Sequence, residues 1–217
     1  MSHFTVIGLG RFGITTSLEL IRLGHTVTGV DSNPKIVEKY VDHLTQSIVC
    51  DASDLSALHE IDILASDVVV VAIGSDMQAS LMTVLALQDI GAKTIWVKSN
   101  TKAHQTIVSK LGVAKIIHPE EDMGIHVAQS LNYPMVEDYI AMGNGIYVVT
   151  LHISPNLAGQ TLGTVLLDAF NDVHPMALKR HHEIITPLNH ESVLHAHDKL
   201  LLVADHLKLK SIANAFT

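Results

Sequence analysis

The stretch Phe4-Thr5-Val6-Ile7-Gly8-Leu9-Gly10-Arg11-Phe12-Gly13 decides the fold. Its first half is a short β-branched, apolar run that reads as a buried strand. Its second half matches G-x-G-x-x-G and opens a helix from about Arg11 to Leu23, which Gly24 stops. Gly8 allows the tight turn, Gly10 lets a phosphate approach the backbone, and Gly13 lets the helix pack on the strand. The helix N-terminus then offers free N–H groups and a positive dipole end to a phosphate. The plainer alternative is a tight strand–helix turn without a ligand.

Working outward, Thr26 to Val30 is a second strand that ends at Asp31. A carboxylate there accepts hydrogen bonds from ribose hydroxyls and repels a 2′-phosphate. NAD(H), ATP or ADP is therefore favoured over NADP. The competing role for Asp31 is to cap the helix that Asn33-Pro34 begins. Gln46 to Cys50 is a third strand, and Asp51-Ala52 follows it where an adenine edge would lie. Ser53 is placed to cap a short helix through Leu58. Val68 to Ile73 is a continuous apolar strand suited to the sheet centre, and Ile73-Gly74-Ser75 ends it beside the phosphates. Ser75 and Gln78 form a capping-box pattern ahead of a helix from about Met77 to Ile90. Thr94 to Lys98 is a fifth strand. Lys98 either reaches a phosphate or is a solvated lysine at a strand end. Ala103 to Leu111 reads as helix and Lys115 to Ile117 as a sixth strand. Such alternation implies a parallel, doubly wound α/β sheet of Rossmann type with right-handed crossovers.

Pro119 opens a helix whose first turn holds Glu120, Glu121 and Asp122. Met123, Val127 and Leu131 recur at helical spacing, and Asn132-Tyr133-Pro134 ends the element. The pattern then changes, which divides the chain into residues 1–134 and 135–217. The second part reads as a small α+β domain. Strands are expected at Ile146 to Ile153, Met176 to Lys179, Ile184 to Pro187 and Lys199 to Ala204. Helices are expected at Leu162 to Phe170 and Leu207 to Phe216. A domain of ~80 residues buries little surface alone, so it is expected to pair with a copy of itself.

Of 217 residues, 47% are hydrophobic and 17% charged, and the formal net charge is -8. Nothing basic clusters, which argues against nucleic acid and against anionic lipid. The longest strongly apolar run is far shorter than the ~20 residues that cross a bilayer. The N-terminus enters a strand at once, without a secretory pattern, and a single cysteine, Cys50, fits a reduced cytoplasmic setting. Cys50 is expected to pack beside the adenine pocket. Among 15 histidines, His195 and His197 alternate and would share one face of a strand, but no cysteine or carboxylate completes a metal set. No Tyr-x-x-x-Lys pair appears and no large catalytic domain follows, so a binding protein is favoured over an enzyme. A small NAD(H)-dependent oxidoreductase or stand-alone redox sensor is the alternative, with His104 and Glu120 as the groups it would recruit.

Gly8 to Gly13, Asp51-Ala52, Ile95-Trp96-Val97-Lys98 and His118-Pro119-Glu120, in that order, resemble the RCK (KTN, TrkA-like) family. Within it, the chain resembles the cytosolic regulatory subunits of Ktr-type potassium uptake systems. The resemblance implies an RCK N-terminal Rossmann domain followed by a small RCK C-terminal domain. It implies a homodimer assembling into a homo-octameric ring. The ring would sit at the inner face of the membrane beneath an integral-membrane, potassium-conducting subunit (KtrB/TrkH-like). ATP and ADP compete for the Rossmann site of such proteins, and NAD(H) also occupies it. By resemblance, Arg11 reaches the phosphates. Asp31, Ser32 and Asn33 surround the ribose, and Asp51 and Ala52 surround the adenine. Ile73, Gly74, Ser75, Lys98, Ser99, Asn100 and His104 complete the pocket. Glu120 matches a carboxylate near the γ-phosphate of a neighbouring subunit's ATP, where it helps hold Mg²⁺ or Ca²⁺. Its plainer role is a helix-dipole carboxylate. Some members bind cyclic di-AMP through an arginine in the C-terminal domain. Asp168 stands at that position here and would repel a phosphate, which argues against cyclic di-AMP.

Overall fold

The computed structural model describes residues 1–132 and 135–216, apart from the side chains of His206 and Ala213. The chain divides into two compact units, Met1–Glu121 and Asp122–Thr217.

In the first unit, six strands form a parallel sheet: β1 (His3–Ile7), β2 (Thr26–Asp31), β3 (Gln46–Val49), β4 (Val68–Val71), β5 (Ile95–Lys98) and β6 (Lys115–Ile117). Their order is β3-β2-β1-β4-β5-β6. Helices α1 (Arg11–Arg22), α2 (Pro34–Tyr40), α3 (Leu55–His59), α4 (Met77–Ile90) and α5 (Lys102–Lys110) connect them. Successive strand residues point to opposite faces, so adjacent residues enter different cores. Val6, Val27 and Val70 join Ile14 and Val37 in one cluster. Ile7, Val30, Val71 and Val97 join Leu58, Leu87 and Val108 in the other. Both faces are covered, which is why the strands are nearly continuous apolar runs. Strand order reverses between β1 and β4, and the crevice at their carboxyl ends is where such sheets take ligands.

Several local expectations are corrected. The spacing on α1 places Leu18, Leu20 and Ile21 inward; Leu20 and Ile21 pack partly buried on the core, but the buried residues are Gly13, Ile14 and Ser17 and Leu18 is exposed at 39%. Asp54, not Ser53, caps α3, accepting from the Ser56 N–H at 2.9 Å. Ser53 instead donates to Asp51. Asp76, not Ser75, caps α4, accepting from the Ala79 N–H at 2.9 Å. In both places the aspartate directly abuts the first helical residue and displaces the serine one position earlier.

Helix α6 (Pro119–Asn132) begins in the first unit and continues into the second. Its stripe is not buried: Met123, Val127 and Leu131 are exposed. The expected stop at Tyr133-Pro134 lies outside the described residues.

The second unit has an antiparallel sheet of order β10-β9-β11-β8-β7. The strands are β7 (Val136–Gly143), β8 (Ile146–His152), β9 (His174–Arg180), β10 (Glu183–Ile185) and β11 (Lys199–Asp205). Its core gathers Val149, Leu151, Leu178, Leu200 and Leu202 with Ile212 of α7 (His206–Ala215) and with Phe216, which follows that helix. Strand β7 was not expected. It reaches β8 through Gly143-Asn144-Gly145, all three in the left-handed region. The expected helix from Leu162 to Phe170 is instead a π-helical turn, Gly163–Leu167. The Asp168 N–H donates to the Gly163 carbonyl, five residues back. His195 and His197 lie in the turn before β11, not on a strand, and His197 has φ 67. Among the described residues, no cluster of three or more His, Cys, Asp or Glu could hold a metal ion.

Candidate functional site

The site forms at the carboxyl ends of the first unit's strands. Gly8 follows β1 with φ +94, a conformation that favours glycine. A Cβ there would lie 3.1–3.3 Å from the Ala72–Ile73 backbone. A Cβ on Gly13 would collide with the Gly8 carbonyl oxygen, so α1 can start against β1 only without one. Gly10 differs: nothing lies within 4 Å of its Cβ position. It is the N-cap of α1, and no side chain caps the helix. The first N–H groups therefore lack a capping side chain, as an anion-binding helix terminus requires.

Asp31 closes this loop from the side. Its Oδ2 accepts from the Leu9 N–H at 2.7 Å, and its Oδ1 accepts from the Asn33 N–H at 2.9 Å. One carboxylate thus ties the glycine loop to the start of α2. Each oxygen retains a lone pair for a ribose hydroxyl. The capping alternative also has a partner: Asn33 itself caps α2, accepting from the Lys35 N–H. Ser32 and Asn33 are exposed beside it. At the end of β3, Asp51 accepts from both the N–H and the hydroxyl of Ser53, and these bonds lower its pKa. Ala52 is buried in the core, and Cys50 packs partly buried against the same cluster.

Lys98 ends β5 at 8% exposure. Its Nζ donates to Glu120 Oε1 at 2.6 Å and lies 5.7 Å from the centre of the Phe12 ring. A Cβ on Gly74 would lie 3.1 Å from that Nζ and 2.8 Å from Asn100 Nδ2. Asn100 Nδ2 donates to the Gly74 carbonyl at 3.0 Å, pinning the β4–α4 loop to the β5–α5 loop. The Lys98 hydrogen bond is the largest influence on the Glu120 carboxyl and pulls its pKa down, aided by the charge of exposed Arg11. Arg11, Phe12, Gly74, Lys98 and Glu120 thus surround one region. Ser75 is exposed beyond it and Ile73 half-buried.

Ser99 is buried. His104 is buried too, its Nε2 enclosed without a hydrogen-bond partner among the described residues. Burial lowers its pKa. Next to the Lys98–Glu120 pair is a cavity of about 240 Å³, lined by Ser99, Asn100, Thr101, Lys102, Gln105, His118, Glu120 and Glu121. Thr101, Lys102 and Gln105 were not singled out from sequence, while His118 was quoted only for the family resemblance and Glu121 only for the first turn of the helix. The one available signal was Thr101 as cap of α5.

Residues 4–119 match the TrkA-N domain family. The Ktr system potassium uptake protein A of Bacillus subtilis (strain 168) is 33% identical over 212 residues, covering 98% of this chain and 96% of that protein. The protein of the same name from Vibrio alginolyticus is 32% identical over 207 residues, covering 95% and 94%. Among solved structures, the GsuK channel superposes with a TM-score of 0.68 at 14% identity, covering 99% of this chain and 39% of that one. The GsuK channel bound to NAD gives 0.65 at 15% identity, covering 100% and 39%. With an open glycine loop in a doubly wound sheet, and similarity along almost all of its length, the chain belongs to the TrkA-N family, in the branch of the Ktr potassium uptake proteins.

Proposed function

We propose that the protein is a cytosolic, nucleotide-binding regulatory subunit of a membrane potassium transporter, and not an enzyme. The observation that carries this reading is the uncapped start of α1 at Gly10, flanked by the Asp31 carboxylate and the buried Lys98 ammonium. That arrangement supplies N–H donors and cations for phosphates and an acceptor for ribose. ATP and ADP are the ligands it fits best. NAD(H) is the second, supported by the fold shared with a channel bound to NAD. Both keep a free ribose 2′-hydroxyl for Asp31.

The ligand's contacts fall to Gly8, Gly10, Arg11 and Gly13 for the phosphates. Asp31, Ser32 and Asn33 take the ribose, and Asp51 and Ala52 the adenine. Ile73, Gly74, Ser75, Lys98, Ser99 and Asn100 close the pocket, with Phe12 backing Lys98. His104 supports this wall from within the core. Mg²⁺ or Ca²⁺ would draw most of its ligands from phosphate oxygens. Glu120 would add one from an adjoining copy in a homodimer within an octameric ring. The second unit carries exposed Asp168 beside His190, 3.7 Å between Oδ1 and Nε2. The Asp168 carboxylate would repel a phosphate, which disfavours cyclic di-AMP.

A ligand shifts a conformational equilibrium only through different affinities for the two states. ATP and ADP differ by one charged phosphate, so the ring would take different shapes with each and pass that to the membrane subunit. No helix among the described residues is long and apolar enough to span a membrane, so the potassium path is assigned to the partner. The test is flux through the reconstituted complex of this protein with its membrane subunit. Potassium flux that differs between ATP and ADP supports the reading. Equal flux with both, or with the protein omitted, overturns it.

A further inference from the structure

We infer that Glu120 acts as a built-in counter-ion for Lys98 that competes with the incoming phosphate, so that occupancy of the site is signalled by release of the first turn of α6. This rests on the adenine-nucleotide reading above and adds a role for Glu120 that needs no divalent cation.

The two partners are held unequally. The Lys98 side chain is 9% exposed and that of Glu120 62%. A buried ammonium needs an anionic partner, because leaving it unpaired in low dielectric is costly. An exposed carboxylate loses little by returning to water. The lysine is therefore the fixed member and the glutamate the movable one. The ammonium also stands where a phosphate arrives, against Gly74 at the end of the β4 loop and near Phe12 in the glycine motif.

Lys98 has three donors and could in principle hold two anions. The charges oppose this. Lys98 and Arg11 supply two positive charges, while a diphosphate together with Glu120 exceeds that in negative charge. Two anions brought to one ammonium repel each other at hydrogen-bonding distance. The exposed carboxylate is the one that leaves. Glu120 is the second residue of α6, so its departure removes the side-chain tie between that helix and Lys98, while the Ser99 N–H still holds the Ile117 carbonyl before it. A ligand without phosphate cannot displace it. The pair thereby selects for ligands that carry phosphate as far as Lys98.

The experiment is calorimetric titration of the full-length protein, in EDTA, with adenosine, ADP and ATP. Wild type is compared with Glu120→Gln and Glu120→Ala. Hydrogen exchange over residues 119–132 is followed in parallel. Glu120→Gln and Glu120→Ala are expected to tighten ADP and ATP by roughly five- to tenfold, the scale of one modest ion pair. Adenosine affinity stays unchanged. ADP is expected to speed exchange at the start of α6 in wild type, and the variants exchange fast without ligand. Unchanged or weaker ADP binding in both variants, with wild type binding normally, overturns this inference alone. Equal tightening of adenosine also overturns it. Absence of ADP and ATP binding to wild type overturns both it and the nucleotide reading.

Discussion

The Asp31 carboxylate accepts the Leu9 N–H at 2.7 Å, which makes the acidic end of β2 a brace for the glycine loop. Its other oxygen holds the Asn33 N–H. Both bonds are charge-assisted, each worth about 1.5–3 kcal/mol. Asp31→Asn keeps one acceptor but turns an N–H₂ toward one of the two N–H groups. Calorimetry should show ADP binding weakened at least tenfold. The preference against a 2′-phosphate should shrink as well, since the repelling charge is gone. ADP affinity equal to wild type would show that Asp31 neither braces the loop nor meets the ribose.

Gly13→Ala places a methyl onto the Gly8 carbonyl oxygen. Overpacking of this kind costs about 1–3 kcal/mol. Because the obstacle is backbone, the upper end is expected. Thermal melting should fall by several degrees and nucleotide binding should weaken together with it. Gly10→Ala, with open space around its Cβ position, should melt as wild type does yet bind nucleotide less well.

In the second unit, Arg180 donates to both oxygens of Asp198, at 3.0 Å and 2.8 Å. Asp198 is 1% exposed. Burial alone would raise its pKa. The Arg180 hydrogen bonds, the His195 N–H and the Arg180 charge outweigh burial and leave it lowered from 3.8. Folding therefore gains from the ionised carboxylate fully above that ordinary value, and the gain is lost as pH falls through the lower folded value. Arg180→Met leaves a buried charge unpaired and should cost about 3–5 kcal/mol in chemical denaturation at neutral pH. Its acid unfolding should also begin at higher pH than in wild type. Unchanged stability would show the pair to be dispensable.

His104 has its pKa lowered from 6.5 by burial, so the folded state resists its protonation. The unfolded chain takes up the proton first. This contribution to stability is therefore intact above about pH 6.5 and declines as pH falls below it, until the folded imidazole also titrates. His104→Leu should flatten the fall in stability between about pH 6.5 and 5. An identical slope in variant and wild type would place the sensitivity in other histidines.

The parallel sheet and the glycine loop were legible because their signals are local. Gly8, Gly10 and Gly13 stand at fixed offsets after an apolar run, and Asp31 ends the next one. What escaped was set by tertiary context. Strand β7 buries only Val136, so no alternation announces it. The caps at Asp54 and Asp76 were missed in favour of the serines one position earlier, since either residue type suits that role. The Gly163–Leu167 turn is fixed by distant chain. The Gly163 N–H donates to the His190 carbonyl, whose oxygen a Cβ on Gly163 would approach to 2.9 Å. Lys98 and Glu120 were each singled out, but 22 residues separate them and nothing in their spacing says that they pair. The stripe of Met123, Val127 and Leu131 was correctly read as helical, yet its covering is not supplied within this chain's described residues.

The most direct measurement is calorimetric titration of the purified protein with ATP and ADP, with and without Mg²⁺, alongside Lys98→Met. Both nucleotides are expected to bind wild type with one site per chain, Mg²⁺ to affect ATP more than ADP, and Lys98→Met to weaken both at least tenfold. Heats indistinguishable from dilution for both nucleotides, or affinities that Lys98→Met leaves unchanged, would contradict the nucleotide reading.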